Sequence, residues 1–161
     1  PRPASLRGLR LGIRRDRTWR SFEVFTDEFA RIGRERLGLA DVVLFDPGTR
    51  IGTPEAESAR VVDFARAVEV AIVGLGTWGS CTSWSVHDSV TTEFAGTPAV
   101  VVVTEAFANL ARASATGRGC SALPMVVLPH PMEGRPHAEI RRIAAERFDE
   151  IVAALVAPRS A

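Results

Sequence analysis

The chain contains no lysine, no tyrosine and no glutamine, and all 20 of its basic residues are arginine. Without lysine, the chain cannot form a Schiff base with pyridoxal phosphate or with a carbonyl substrate. Without tyrosine, a tyrosine acid or nucleophile is excluded as well. Any chemistry must therefore come from cysteine, histidine, carboxylates, hydroxyls, arginine or the backbone. The exclusive use of arginine is also what a high-GC genome would produce.

The net charge is small and the apolar runs are short. The formal net charge is +1, so nothing in the composition indicates a nucleic acid or a membrane surface as a partner. No apolar run is long enough to span a bilayer, and no signal-peptide pattern opens the sequence. Two cysteines do not make a disulfide framework, and no spacing of possible ligands is typical of a metal site. We expect a cytoplasmic protein without a bound metal.

The apolar pattern predicts five strands that alternate with five helices. This arrangement indicates one domain over residues 1–161, with tails at about 1–7 and 158–161. The predicted strands cover residues 9–13, 42–45, 68–73, 98–103 and 125–128. The predicted helices cover residues 22–37, 54–67, 80–94, 106–114 and 139–156.

Short connections between such units favour an α/β fold, a doubly wound parallel sheet covered by helices on both faces. For five units we expect the flavodoxin-like strand order 2-1-3-4-5. The order reverses between strands 1 and 3, and ligands bind outside the carboxyl ends of the strands at such a point. The loops that meet there are residues 14–19 and 74–81.

A glycine-rich turn follows the third strand. Gly74, Gly76 and Gly79 have the spacing of a dinucleotide fingerprint, but they lie on the third unit and no acid ends the next strand at the usual distance. The first turn is rich in arginine, unlike a flavin phosphate loop. The alternative is that these glycines let the turn pack closely against the first strand. We therefore expect no organic cofactor.

Cys81 is the strongest candidate for a reactive group. It follows the glycine-rich turn at the predicted start of a helix, among hydroxyl residues that include Ser80 and Thr82. Free N–H groups and the helix dipole at that position favour a thiolate or a bound anion. The alternative is a small buried apolar residue. Cys120 lacks these neighbours and is interpreted as incidental.

Histidines and carboxylates near the same sheet edge are candidates for proton transfer. His130 ends the fifth strand between two prolines, which makes it the better base. Glu105, after the fourth strand, is either an acid that orients a histidine or a solvated loop carboxylate. Asp88 shares a helix face with Cys81, whereas His87 is rotated away and fits a solvated face equally well.

Arg14 and its neighbours Arg15 and Arg17 form the first turn at this edge. An arginine there suits an anionic group of a substrate, because its planar donors match a carboxylate or a phosphate. For any one of the three, a surface salt bridge explains the residue as well.

The run Thr77-Trp-Gly-Ser-Cys-Thr-Ser-Trp-Ser-Val-His-Asp88 resembles the UGSC family of (seleno)proteins. The resemblance extends from the first strand through residues 104–107 to residues 128–131. That family is named for a motif of selenocysteine or cysteine, then Gly, Ser and Cys, and is distantly similar to the substrate-specific subunits of glycine and betaine reductases. The resemblance implies thiol-based redox chemistry at a helix start. Here Trp78 stands at the first motif position, so a cysteine pair is missing.

We therefore expect a cysteine-dependent enzyme that acts on a small, anionic molecule by non-redox lyase, isomerase or transferase chemistry, as in secondary metabolism. Two alternatives stay open: a reductase-like thiol-redox component, and a non-catalytic subunit that binds a ligand or partner through a degenerate motif. The small size of the chain and its apolar last helix fit a homodimer; association with a partner subunit is the alternative. The expected substrate-binding residues are Gly76, Trp78, Gly79, Ser80, Thr82 and Arg14.

Overall fold

The computed structural model describes residues 1–50 and 52–157 and contains one five-stranded sheet. All neighbouring strands pair in parallel, in the order β2-β1-β3-β4-β5. The predicted flavodoxin-like, doubly wound α/β fold is confirmed. The strands are β1 (Arg10–Arg14), β2 (Asp41–Phe45), β3 (Val70–Gly76), β4 (Ala99–Thr104) and β5 (Met125–Leu128).

Five α-helices alternate with these strands. The helix α1 ends at Gly38, whose backbone is left-handed with φ of 68° and is therefore suited to glycine. The helix α2 begins with a proline behind a Thr53 cap, the arrangement expected of a helix start. The helices are α1 (Arg20–Leu37), α2 (Pro54–Arg66), α3 (Gly79–Phe94), α4 (Ala108–Gly117) and α5 (His137–Leu155).

The apolar residues form a core on each face of the sheet. The larger cluster joins α1 and α5 to the sheet and includes Phe22, Phe29 and Phe148. The opposite face is covered by α2, α3 and α4, through one cluster around Val101 and Val103 and a second around Phe64. The central strands β3 and β4 are buried at every position, as their β-branched sequences indicate.

The structure differs from the prediction mainly at element ends. Strand β3 begins at Val70 and runs on through the glycines to Gly76, with a register shift against β4 after Val73. The segment before β1, expected to be a tail, packs on the domain: Leu6 is buried in the core, and Arg2 pairs with Glu93. The second expected tail, 158–161, lies outside the described residues.

Within residues 1–50 and 52–157, no helix has both the length and the apolar character that a membrane crossing requires.

Candidate active site at the carboxyl edge of the sheet

The first turn of α3 is tied together around the backbone of Trp78, the residue that precedes the helix. Cys81 Sγ accepts the Trp78 N–H at 3.1 Å and lies 3.4 Å from the Trp78 carbonyl oxygen. The Thr82 hydroxyl donates to the same carbonyl at 2.6 Å. The thiol therefore sits at the N-terminus of α3, as predicted, with a backbone amide directed at its sulfur.

Cys81 lines a cavity of about 240 Å³, which we call the cysteine cavity. Three segments surround it: the turn after β1, the loop after β2 and the start of α3. It therefore lies at the point where the strand order reverses between β1 and β3, as the predicted fold requires. The lining residues are Arg14, Asp16, Thr18, Pro47, Gly48, Arg50, Ser80, Cys81 and Trp84.

A buried cluster of charges lies against this cavity. The carboxylate of Asp88, fully buried on α3, accepts a hydrogen bond from Arg14 Nε at 2.7 Å and another from Arg50. Arg14 also donates to the Gly74 carbonyl at 2.8 Å. Two arginines of the cavity wall are thus held by one carboxylate, which fixes both guanidinium groups.

The same carboxylate holds His87. Its other oxygen lies 3.1 Å from His87 Nδ1, and His87 Nε2 lies 3.4 Å from the Ser58 hydroxyl of α2. Burial alone would raise the pKa of Asp88, but the hydrogen bond from His87 and the charges of Arg14 and Arg50 together hold it below its ordinary value. Asp88 is therefore an anchored anion.

Arg50, in the wall of the cysteine cavity, contacts both charged and aromatic side chains. It pairs with Glu57 at 3.2 Å, and its guanidinium carbon stands 4.5 Å from the ring centroid of Trp84. Its side chain is only 10% exposed, and its buried Nε has no hydrogen-bond partner among the described residues. A buried donor left without a partner is costly, and this nitrogen has almost no exposed surface through which a ligand could reach it.

A second cavity, of about 340 Å³, lies on the other side of the turn that carries Trp78. We call it the aromatic cavity. It shares no lining residue with the cysteine cavity. His130 belongs to it, with Nδ1 2.9 Å from the Thr104 hydroxyl. The lining residues are Trp19, Thr77, Trp78, Phe107, His130, Pro131 and Glu133.

The predicted site residues are thus divided between the two cavities and the structure around them. Arg14, Ser80 and Cys81 meet in the cysteine cavity, whereas Trp78 and His130 line the aromatic cavity. The proton transfer expected between His130 and Cys81 stays a prediction, since the described hydrogen bonds join neither side chain to the other.

The carboxylates and the remaining histidine fall elsewhere. Asp88 and His87 lie behind the cysteine cavity, bonded to each other and, through Asp88, to its arginines. Glu105 is exposed in a 3-10 turn after β4 and lines neither cavity. Among the described residues, the Glu105 side chain makes no hydrogen bond to a histidine. Its role in orienting one therefore stays a prediction.

Gly76 and Thr82 are buried in packing, and Gly79 only begins α3. A Cβ atom on Gly76 would stand 2.8 Å from the Val103 side chain, and one on Gly74 would stand 2.7 Å from Phe22. Both glycines therefore allow close packing of β3, but against Val103 of β4 and Phe22 of α1 and not against the first strand, as the alternative to a dinucleotide fingerprint supposed.

Several residues of the two cavities were missed by sequence reasoning. Arg50 and Asp16 follow the carboxyl ends of β2 and β1, so their position in the predicted topology was an available signal. Trp84, one turn into α3 from Cys81, was another. Glu133 likewise follows the carboxyl end of β5, but its contact with Ser21 of α1 had no local signal. In the described part of the chain, no three histidine, cysteine or acidic residues are grouped to hold a metal ion.

Comparison with known proteins supports the resemblance read from the motif. A search of curated proteins finds no match to this chain. The model of the UGSC family matches residues 1–157, which is nearly the whole sequence and includes both cavities. The chain therefore belongs to the UGSC family.

Proposed function

We propose that this protein is a cysteine-dependent enzyme that acts on a small anionic molecule in the cysteine cavity. The observation that carries the proposal is the position of Cys81, whose sulfur lies at the N-terminus of α3 in a cavity that also contains Arg14 and Arg50. Helix N-termini favour negative charge, and arginine binds carboxylate and phosphate groups. Cys81 then acts as a nucleophile or as a base.

The chemistry we propose is of the lyase, isomerase or transferase type. A redox cycle needs a second thiol to close a disulfide with Cys81. The other cysteine, Cys120, packs against the cluster around Val101 and Val103, and both cysteines are free. The family resemblance places Trp78 at the position of the motif's first cysteine or selenocysteine, so it adds no thiol there.

The arginine pair supports an anionic substrate. Asp88 fixes both guanidinium groups from behind, so they need no rearrangement when a ligand binds. The hydroxyl of Ser80 lines the same cavity and is available to substrate oxygens. Asp16 is a carboxylate at the cavity wall and is our candidate for a proton carrier there.

Alkylation kinetics test this proposal without knowledge of the substrate. Burial and the nearby charge of Glu93 raise the pKa of Cys120, which makes it a slow internal reference. At neutral pH we expect Cys81 to react with iodoacetamide about 10-fold faster than Cys120, measured by mass spectrometry of peptides from the intact chain. Equal rates at the two cysteines would refute an activated thiol.

The anionic reagent iodoacetate tests the arginine pair. We expect Arg50→Met to slow carboxymethylation of Cys81 by iodoacetate about 10-fold while changing its reaction with iodoacetamide far less. Arg17→Met is the matched control, because Arg17 is 95% exposed and pairs with Asp46 outside the cavity lining. The same loss in both variants would show a general field effect instead of a substrate contact.

A non-catalytic binding subunit is the second candidate. It is favoured by the contacts of Cys81, whose described hydrogen bonds are made to the backbone of Trp78 and not to a histidine or a carboxylate. This candidate predicts that Cys81→Ala binds anions in the cysteine cavity as the parent does. The enzyme proposal predicts, in contrast, that Cys81→Ala abolishes turnover once a substrate is found.

A further inference from the structure

We infer that the aromatic cavity is a separate binding site for a planar organic cation, such as a guanidinium or an N-alkylated heteroaromatic ring. The inference does not depend on the reactivity of Cys81, because the two cavities share no lining residue.

The walls of the aromatic cavity offer flat π faces. The indole rings of Trp19 and Trp78 lie nearly parallel, at 12° with centroids 6.5 Å apart. Phe107 adds a third ring, tilted against the imidazole of His130. Trp78 is 63% exposed, so much of its indole surface is open to a ligand.

Glu133 supplies the charge. One oxygen of its carboxylate accepts both the backbone N–H and the hydroxyl of Ser21, at 2.8 and 2.5 Å. These bonds hold the carboxylate at the start of α1, where it completes the first turn of that helix. Its second oxygen makes no hydrogen bond to the described residues, so it remains available to a donor on a ligand.

Among residues 1–50 and 52–157, no arginine pairs with this carboxylate. The sequence contains 20 arginines, yet no arginine of the described residues lines the aromatic cavity, and Glu133 makes no ion pair there. The wall of the cysteine cavity, in contrast, contains two arginines beside one carboxylate, Asp16. A carboxylate without an ion pair among aromatic faces is the composition that recognises cations in proteins.

The near-parallel indoles favour a flat cation over a spherical one. Both guanidinium and pyridinium ions can stack on an indole face while an edge is directed toward a carboxylate. His130 adds selectivity within this class, because the bond of its Nδ1 to Thr104 leaves Nε2 as the ring nitrogen that can contact a ligand.

Titration with N-methylpyridinium, methylguanidinium, toluene and tetramethylammonium tests the inference. The readout is the set of indole N–H signals in ¹H–¹⁵N NMR spectra of the full chain, where Trp84 of the cysteine cavity is an internal control. We expect both planar cations to shift the signals of Trp19 and Trp78, with dissociation constants of about a millimolar. Trp84 should not shift.

Two variants of the aromatic cavity separate the contribution of its charge to binding from that of its aromatic surface. Glu133→Gln keeps an oxygen that can accept both bonds from Ser21, so α1 keeps its start while the charge is lost. We expect it to weaken binding of both planar cations about 10-fold and to leave the binding of toluene, the neutral isostere of N-methylpyridinium, unchanged. Trp78→Leu should weaken binding of all three, whereas Cys81→Ser should change none.

Three results would overturn the inference. The first is an absence of shifts at Trp19 and Trp78 with either planar cation at 20-fold the expected dissociation constant, that is, about 20 mM. The second is equal affinity for toluene and N-methylpyridinium, which would show a merely apolar cavity. The third is tighter binding of tetramethylammonium than of both planar ions, which would exclude a site shaped for flat groups. None of these results bears on the alkylation of Cys81.

Discussion

Arg14 Nε on β1 donates to the Asp88 carboxylate on α3 at 2.7 Å, with the two side chains only 3% and 0% exposed. This pair joins a central strand to the helix that carries the candidate nucleophile. Because Arg50 and His87 bond to the same carboxylate, Asp88 holds together three segments behind the cysteine cavity.

Asp88→Asn should therefore lower the free energy of unfolding by about 3–5 kcal/mol at neutral pH. The change removes the buried carboxylate that Arg14 and Arg50 share, and leaves Arg14 only Asp16 at 3.8 Å and Arg50 only Glu57 at 3.2 Å. Urea denaturation measures the loss. The matched control is Asp149→Asn, which removes an exposed carboxylate paired with Arg36 and should cost less than about 1 kcal/mol. Similar losses in the two variants would show that the cluster does not stabilise the fold.

The stabilisation by the Asp88 carboxylate should also depend on pH. The pKa of Asp88 is lowered in the folded state, so between that value and the unfolded value of about 3.9 the unfolded chain binds more protons. The contribution of Asp88 is thus complete above the unfolded pKa and is lost as pH falls through the folded pKa. The stability difference between the parent and Asp88→Asn should shrink over this window. A difference that stays constant down to pH 2 would contradict the assigned shift.

Alanine substitutions test whether Gly76 is required for close packing of β3 or belongs to a nucleotide-binding loop. Gly76→Ala should destabilise the protein by about 1–3 kcal/mol, because the new methyl group would meet Val103 at 2.8 Å and the Thr82 backbone at 3.3 Å. Gly79→Ala is the control: a Cβ there meets nothing within 4 Å, and alanine suits a helix. We expect Gly79→Ala to be neutral or slightly stabilising in thermal unfolding. Equal destabilisation in the two variants would show that packing is not the reason for Gly76.

The fold was predictable because its signals are local and repeated. The run around Val100 is β-branched and buried on both sides, and Gly38 and Pro54 mark a helix end and a helix start. Five such units with short connections leave little choice of topology. The end of β3 was predicted too early, because glycines usually signal a turn and here allow the close packing of a strand.

The site was predictable only as far as topology determines it. Cys81 and Arg14 were placed together because the carboxyl ends of β1 and β3 meet where the strand order reverses. His130 follows β5, which lies two strands from β3 in the predicted order, so the topology already separates His130 from Cys81. The contact between Glu133 and Ser21 joins opposite ends of the chain and has no local signal at all.

The final prediction concerns Trp78, which replaces the first cysteine of the family motif. In Trp78→Cys the new thiol would precede α3, beside the Cys81 sulfur that lies 3.1 Å from the residue 78 amide nitrogen. We expect this variant to form a reversible intramolecular disulfide, measured as the loss of two thiols on mild oxidation, while the parent loses none. We also expect it to lose cation binding in the aromatic cavity, since the indole is gone.

Trp84→Cys is the matched control, because it has the same spacing to Cys81. Both of these residues lie within α3, where side chains one turn apart are about 5–6 Å apart at Cβ, beyond the usual disulfide range. If Trp84→Cys closes a disulfide as readily as Trp78→Cys, the geometry at the start of α3 is not what favours the bond. If neither variant closes one, the side chain at position 78 is not directed toward the Cys81 sulfur, and the expected pair is refuted.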